Sequence, residues 1–301
     1  MPSYLEAINR VLVEQSARHP GLVQFGENIA QGSRLCGVAR NLSGRVLTVG
    51  NCENTHLGVG LGMMMEGGAA LLIVKQLDFL LLGLDQMVNT LNLQRAMSGG
   101  APAAGSFTIL TIVCDQGWQG PQSSFNDLAG VCALARVDGY CLNGLGDAER
   151  VLPDRLVRPG FRLIAVSQRR FGEECLELPV LHASGDGAEL QYAEGADATI
   201  VSLGFTLPEA AAMLARLRGE GKRAALFQIN PVLPHHWARV MASAARSRRL
   251  IVLDDSKGAV SLAHKVASQV WRVAPECHVS LHTREQDCQW AVNEDRFVVA
   301  A

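Results

Sequence analysis

Short, uninterrupted apolar runs alternate with segments of helical spacing along the whole chain, and few folds accept that alternation. Val46-Leu47-Thr48-Val49, Ala69 to Val74, Thr108 to Cys114 and Leu163 to Val166 each read as a buried strand. Between them, Asp85 to Met97 places Met87, Val88, Leu91 and Ala96 at helical spacing, and Ser98-Gly99-Gly100 ends the helix. The pattern predicts an α/β protein with a mainly parallel sheet. A second α/β unit follows, with strands at Ala198 to Leu203, Ala224 to Ile229 and Leu250 to Leu253. Its first helix is expected to start on a capping box, Thr206-Leu207-Pro208-Glu209, and to end near Gly219. Polar residues and glycines make 184–195 the expected linker between domains 1–183 and 196–301.

Composition narrows the partners. With 48% hydrophobic and 19% charged residues the chain is apolar for a soluble protein, and surface committed to other subunits would account for this. A net charge of -2 carries no electrostatic footprint for nucleic acid. Arg169-Arg170 and Arg248-Arg249 read as solvated surface. The apolar run from Ala69 to Val74 falls far short of the ~20 residues that span a bilayer. Glu6, Arg10 and Glu14 break the first segment at amphipathic spacing, so no membrane or secretory signal is expected and the cytoplasm fits best. The eight cysteines stand singly, without C-x-x-C or a His cluster, so neither a metal site nor a disulfide framework is expected.

Chemistry concentrates after the first strand named. Glu53 opens a helix that continues Asn54-Thr55-His56-Leu57-Gly58-Val59-Gly60-Leu61-Gly62. Glycine in a helix costs about 1 kcal/mol relative to alanine, so three in five residues imply that close approach of another backbone or a flat ligand matters more. The plainer reading is tight helix packing with Glu53 as a solvated first-turn carboxylate.

The order of segments adds to this. Asn51-Cys52-Glu53, Gly58 to Gly67, Lys75-Gln76-Leu77-Asp78-Phe79, Asp85-Gln86-Met87-Val88-Asn89 and Arg95-Ala96-Met97-Ser98-Gly99-Gly100 follow one another, then Gly120-Pro121-Gln122 and Glu194 to Val201. This series resembles the beta subunit of the first component of thiamine-diphosphate-dependent 2-oxoacid dehydrogenases, of pyruvate, branched-chain and acetoin type. More distantly it is similar to the C-terminal half of transketolase. The resemblance implies two three-layer α/β domains, a pyrimidine-binding domain followed by a transketolase-like C-terminal domain. It implies that Glu53 hydrogen-bonds a ring nitrogen of the aminopyrimidine, so that the amino group opposite can remove the thiazolium proton. Phe79 matches an aromatic position that packs on the pyrimidine, although a buried phenylalanine also serves as plain core. Leu81 and Leu82 would be apolar wall or core, with Asp85 and Gln86 facing a subunit partner or solvent.

One position departs from the pattern. The family has histidine after Gly-Pro-Gln, where this chain has Ser123 beside Gln122. A serine hydroxyl can donate a hydrogen bond but neither carries charge nor titrates near neutrality. His56 is a candidate substitute, weighed against a helix-packing role; His235-His236 after Pro234 read as a surface turn. Gly185-Asp186-Gly187 spells the start of the superfamily's magnesium-diphosphate motif, but no asparagine pair follows, so it is linker. The diphosphate and Mg2+ ligands are then expected from an alpha-type subunit, in an α2β2 heterotetramer. The implied reaction is decarboxylation of a 2-oxoacid with transfer of the acyl or aldehyde unit, with a lipoyl acyltransferase core as a further partner. The tail after His278, lacking a proline-rich ending, and Ser123 favour the alternative of a split transketolase-like enzyme. A third reading is a non-catalytic assembly subunit.

Overall fold

The computed structural model describes residues 2–116, 123–258 and 261–284. Its first half is a parallel sheet of β1 (Leu22–Gly26), β2 (Arg45–Thr48), β3 (Ala69–Val74), β4 (Ser106–Val113), β5 (Asp138–Leu142) and β6 (Gly160–Ser167). The spatial order is β2-β1-β3-β4-β6-β5. Successive side chains of a strand point to opposite faces, and β3 shows why its run is apolar throughout. Leu71 and Ile73 enter a core with Ile8, Leu12 and Leu152 of helices α1 (Tyr4–Arg18) and α5 (Leu145–Arg155). Leu72 and Val74 enter a second core with Leu57 and Leu61 of α2 (Glu53–Met65), Leu91 of α3 (Leu91–Met97) and Val131 of α4 (Leu128–Ala135).

The second sheet runs β12-β11-β9-β10-β8-β7. Its strands are β7 (His182–Ala183), β8 (Glu189–Ala193), β9 (Ala198–Leu203), β10 (Ala224–Ile229), β11 (Arg249–Asp254) and β12 (His278–Thr283). Helix α6 (Leu207–Gly219) covers one face, and α7 (Ala238–Ser247) with α8 (Leu262–Val273) the other. Side chains stitch the sheets together. Gln228 Nε2 donates to the Cys141 carbonyl at 2.7 Å, and Asn143 Nδ2 to the Gly204 carbonyl at 3.0 Å. Lys257 Nζ donates to the Ser124 carbonyl at 2.6 Å.

Several sequence expectations are corrected. β2 is an edge strand rather than a buried one, and Leu47 is 52% exposed. Within 184–195, read as linker, Glu189–Ala193 is a fully buried strand. Its polar residues hid it, and they are satisfied internally: Glu189 accepts from the backbone N–H of Val240 at 2.9 Å, and Gln191 from Arg239 Nε at 3.2 Å. The Thr206 hydroxyl makes no cap; it turns back to the Leu203 and Leu253 carbonyls, while Glu209 pairs with Arg170. The helix expected from Asp85 to Met97 begins with a π-helical turn, Gln86–Thr90, before α3. Arg169 and Arg170 are not solvated surface but lie between the domains, among Asp115, Glu209 and Asp255.

The α2 glycines serve different ends. A Cβ on Gly60 would sit 2.2 Å from the Phe107 ring, so helix and sheet approach there as no other residue permits. Gly62 has nothing within 4 Å. Gly60→Ala is therefore expected to destabilise the chain by about 1–3 kcal/mol. Gly62→Ala is expected to stabilise it by about 0.5–1 kcal/mol. Urea midpoints of both variants check the contrast.

Candidate active site

Ligands of open parallel sheets bind outside the carboxyl ends of the strands, and here those ends gather the polar residues. Glu27 follows β1, Lys75 follows β3, and the loop after β2 leads into Glu53 at the first position of α2. Cys52 precedes it with a non-helical backbone and no side-chain cap to the helix, so an acid in the first turn faces amide groups without intrahelical partners.

Glu27, Glu53, His56, Lys75 and Phe79 line one pocket, floored by Leu72, Ile73 and Val74. It encloses about 280 Å³, counting its open mouth. Glu53 and Phe79 are half-buried. His56 is buried and meets the Phe25 ring edge-on, with centroids 6.4 Å apart. Glu53, His56 and Phe79, named from sequence, thus converge. Glu27 was missed, and it is the second acid of the site. Desolvation first, then the charge of Glu53, holds its carboxyl above the ordinary range; His56 opposes this, and a hydrogen bond to Glu53 adds to it. A raised proton affinity suits Glu27 to carry a proton within the pocket. The missed signal is topological: β1 and β2 are parallel neighbours, so residues just past their ends meet.

Ser123 does not line that pocket. It is half-buried and accepts a hydrogen bond from Gln76 Nε2 at 2.7 Å, next along the chain from Lys75. Gln122 lies outside the described residues. Asp78, beside Phe79, anchors this corner by accepting from the backbone N–H groups of Ser124 and Phe125 at 3.3 and 3.2 Å. Burial raises its proton affinity. Cys114, at the end of β4, is also pushed up, to about 12, by burial first and then by the charges of Asp78 and Asp115; it is no nucleophile.

Other expectations fall away from the pocket. Leu82 is 63% exposed rather than wall or core. Gln86 donates to Asn54 Oδ1 at 3.1 Å and lies over Gly58. His235 stacks on Trp237 in the second domain. Gly185-Asp186-Gly187 forms the turn between β7 and β8, where Asp186 Oδ1 accepts from the Ala188 N–H at 3.0 Å. Among the described residues no group of three His, Cys, Asp or Glu side chains is placed to hold a metal ion. None of their helices is long and apolar enough to cross a membrane.

Comparison with known proteins bears on the fold. Residues 187–282 match the family model "Transketolase, C-terminal domain". The pyruvate dehydrogenase E1 component subunit beta of Rhizobium meliloti is 22% identical over 281 residues, covering 89% of this chain and 60% of that protein. A chloroplastic E1 subunit beta of Arabidopsis thaliana is 28% identical over 155 residues, 46% of this chain and 37% of its own. The beta subunit of the acetoin:2,6-dichlorophenolindophenol oxidoreductase of Cupriavidus necator is 21% identical, with 88% and 82% covered. The chain thus spans less than two thirds of the pyruvate dehydrogenase relatives it matches. Among solved structures, a split gene transketolase, described as an inactive beta4 tetramer, superposes with a TM-score of 0.72 at 17% identity, over 93% of this chain and 88% of that one. Campylobacter jejuni transketolase gives 0.68 at 9%, over 94% and 42%. The fold is therefore transketolase-like, and along nearly its whole length the chain is similar to the beta subunits of pyruvate dehydrogenase and acetoin oxidoreductase.

Proposed function

We propose that the chain is the beta-type subunit of a two-subunit thiamine-diphosphate enzyme, supplying the pyrimidine side of an active site that an alpha-type chain completes. The observation that carries this is the pocket at the head of α2, where Glu53 and Phe79 stand over an apolar floor with Glu27 within reach of Glu53. An acid, an aromatic face and a dry floor suit one edge and one face of a small heterocycle. When bound, the cofactor supplies a nucleophilic carbon that adds to the substrate carbonyl.

The chain's own residues would prepare that carbon. Glu53 would hold a proton at the ring nitrogen, Glu27, with its raised proton affinity, would carry a proton beside it, and Phe79 would orient the ring. Leu72 and Val74 back the pocket with apolar surface, so that a bound ring covering its mouth would strengthen the charge interactions among the carboxyls. Diphosphate and Mg2+ are assigned to the alpha-type partner, in an α2β2 tetramer. Exposed Val59, Met65, Leu93 and Met97 supply apolar surface for subunit contact. On this reading the first sheet and its helices form the pyrimidine-binding domain expected over 1–183, while β7 at the end of that range and β8 within 184–195 belong to the transketolase-like domain.

The reaction follows as decarboxylation of a 2-oxoacid with transfer of its acyl or aldehyde unit, a lipoyl acyltransferase core being the acceptor in the dehydrogenase form. A split transketolase-like transfer is the second reading, and Ser123 favours it, because a neutral hydroxyl replaces the family's titrating histidine.

Mixing the chain with an alpha-type subunit and thiamine diphosphate tests the assignment. A complex of two copies of each by light scattering, with thiazolium-proton exchange faster in the complex than in either chain alone, is expected. A chain that stays apart from such partners would refute it. Ser123→His is expected to shift the ratio of kcat/KM between pyruvate and a hydroxyketone donor about tenfold or more. An unchanged ratio would remove the position from substrate selection.

A further inference from the structure

The pocket holds one cation whose purpose its own carboxylates do not explain. Lys75 closes the buried strand β3, lines the same pocket as Glu27 and Glu53, and is exposed. Among the described residues its ammonium forms no ion pair and no hydrogen bond with either acid or with any other group. Its charge is felt instead at the Cys114 thiol, past the end of β4. Gln76, the next residue, holds Ser123. Because the Ser123 oxygen accepts from Gln76, its own proton is available to donate. An unmatched ammonium therefore stands at the pocket mouth, next in the chain to the residue that fixes Ser123.

We propose that Lys75, at the mouth of the pocket, recognises an anionic group of the substrate, a phosphate ester or a carboxylate remote from the reacting carbonyl; this rests on the assignment of the pocket as the pyrimidine side of the active site. The anion must be one the reaction retains. A lysine paired with a carboxylate about to leave as carbon dioxide would stabilise ground-state charge that the transition state disperses, and so raise the barrier. A compact point charge suits phosphate, and it restores the positive charge that Ser123 cannot carry.

Titrating the nitrogen-15-labelled full chain with inorganic phosphate, and separately with acetate, tests this without cofactor or partner. The amides of Val74, Gln76 and His56 are expected to shift saturably in the native chain and in Lys75→Arg. In Lys75→Met binding is expected to weaken roughly ten- to hundredfold. Saturation by phosphate but not acetate assigns a phosphate ester, and the reverse a carboxylate. Equal midpoints in Lys75→Met, or no saturation in the native chain, would overturn the role of Lys75 and leave the thiamine reading standing. Saturable binding in a chain whose complex shows no thiazolium exchange would overturn the substrate assignment itself.

Discussion

Glu53→Gln in the assembled two-subunit enzyme is expected to slow exchange of the thiazolium proton by about 10²- to 10⁴-fold, the range of a positioned acid or base. The substitution keeps shape and hydrogen-bonding length but removes the ability to hold a proton against a ring nitrogen. Glutamine also changes the neighbour. Glu27 is held up partly by the charge of Glu53, so its proton affinity is expected to fall in the variant. That separates two ways of losing activity. Glu27→Gln leaves Glu53 in place and is expected to slow exchange less. If the two acids act as one proton-sharing unit, the double variant will be no slower than Glu53→Gln alone. Exchange at the native rate in Glu53→Gln would end the catalytic assignment and favour an assembly subunit.

How much of this was legible in the sequence depends on whether an interaction is local. β3 and β4 declared themselves because both faces of each are buried, which leaves a continuous apolar run. Glu53 and its helix were legible because strand, turn and helix follow one another within a few residues. β8 was not, since its alternating Glu189 and Gln191 look like linker until the N-terminus of α7 and Arg239 arrive to satisfy them. Glu27 was missed for the same reason in the site: its meaning lies in a parallel strand pairing, and no pattern around Gly26 announces it. Lys75 was quoted within the resemblance, yet only the pocket lining shows where it stands. The largest misreading was of Arg169-Arg170, because a basic pair is ordinarily solvated and, Glu173 apart, its acids lie far away in sequence, at Asp115, Glu209 and Asp255.

That cluster yields the largest expected effect on stability. Arg169 Nη2 lies 3.0 Å from Asp255 Oδ2, and its Nε 3.7 Å from Asp115 Oδ2; both carboxylates are fully buried. Arg169→Met strands these acids between the two sheets and is expected to destabilise the chain by about 3–5 kcal/mol at neutral pH. The pH dependence identifies the cause. Burial pushes Asp255 up to about 6, against the pull of Arg169, with Asp115 adding to the rise. A folded-state value above the unfolded one favours the protonated fold. Stability from this group is therefore complete below the ordinary carboxylate range and is lost as pH rises through about 6. Without the guanidinium the value rises further, so the gap between native chain and variant should widen as pH rises through 6 and beyond. Urea unfolding at pH 5 and at pH 7.5 measures it. The double variant Arg169→Met/Asp255→Asn, with one buried charge fewer, should recover part of the loss at pH 7.5 and little at pH 5. Equal losses at both pH values, with no recovery in the double variant, would mean that Arg169 joins the domains by packing of its stem rather than by its charge.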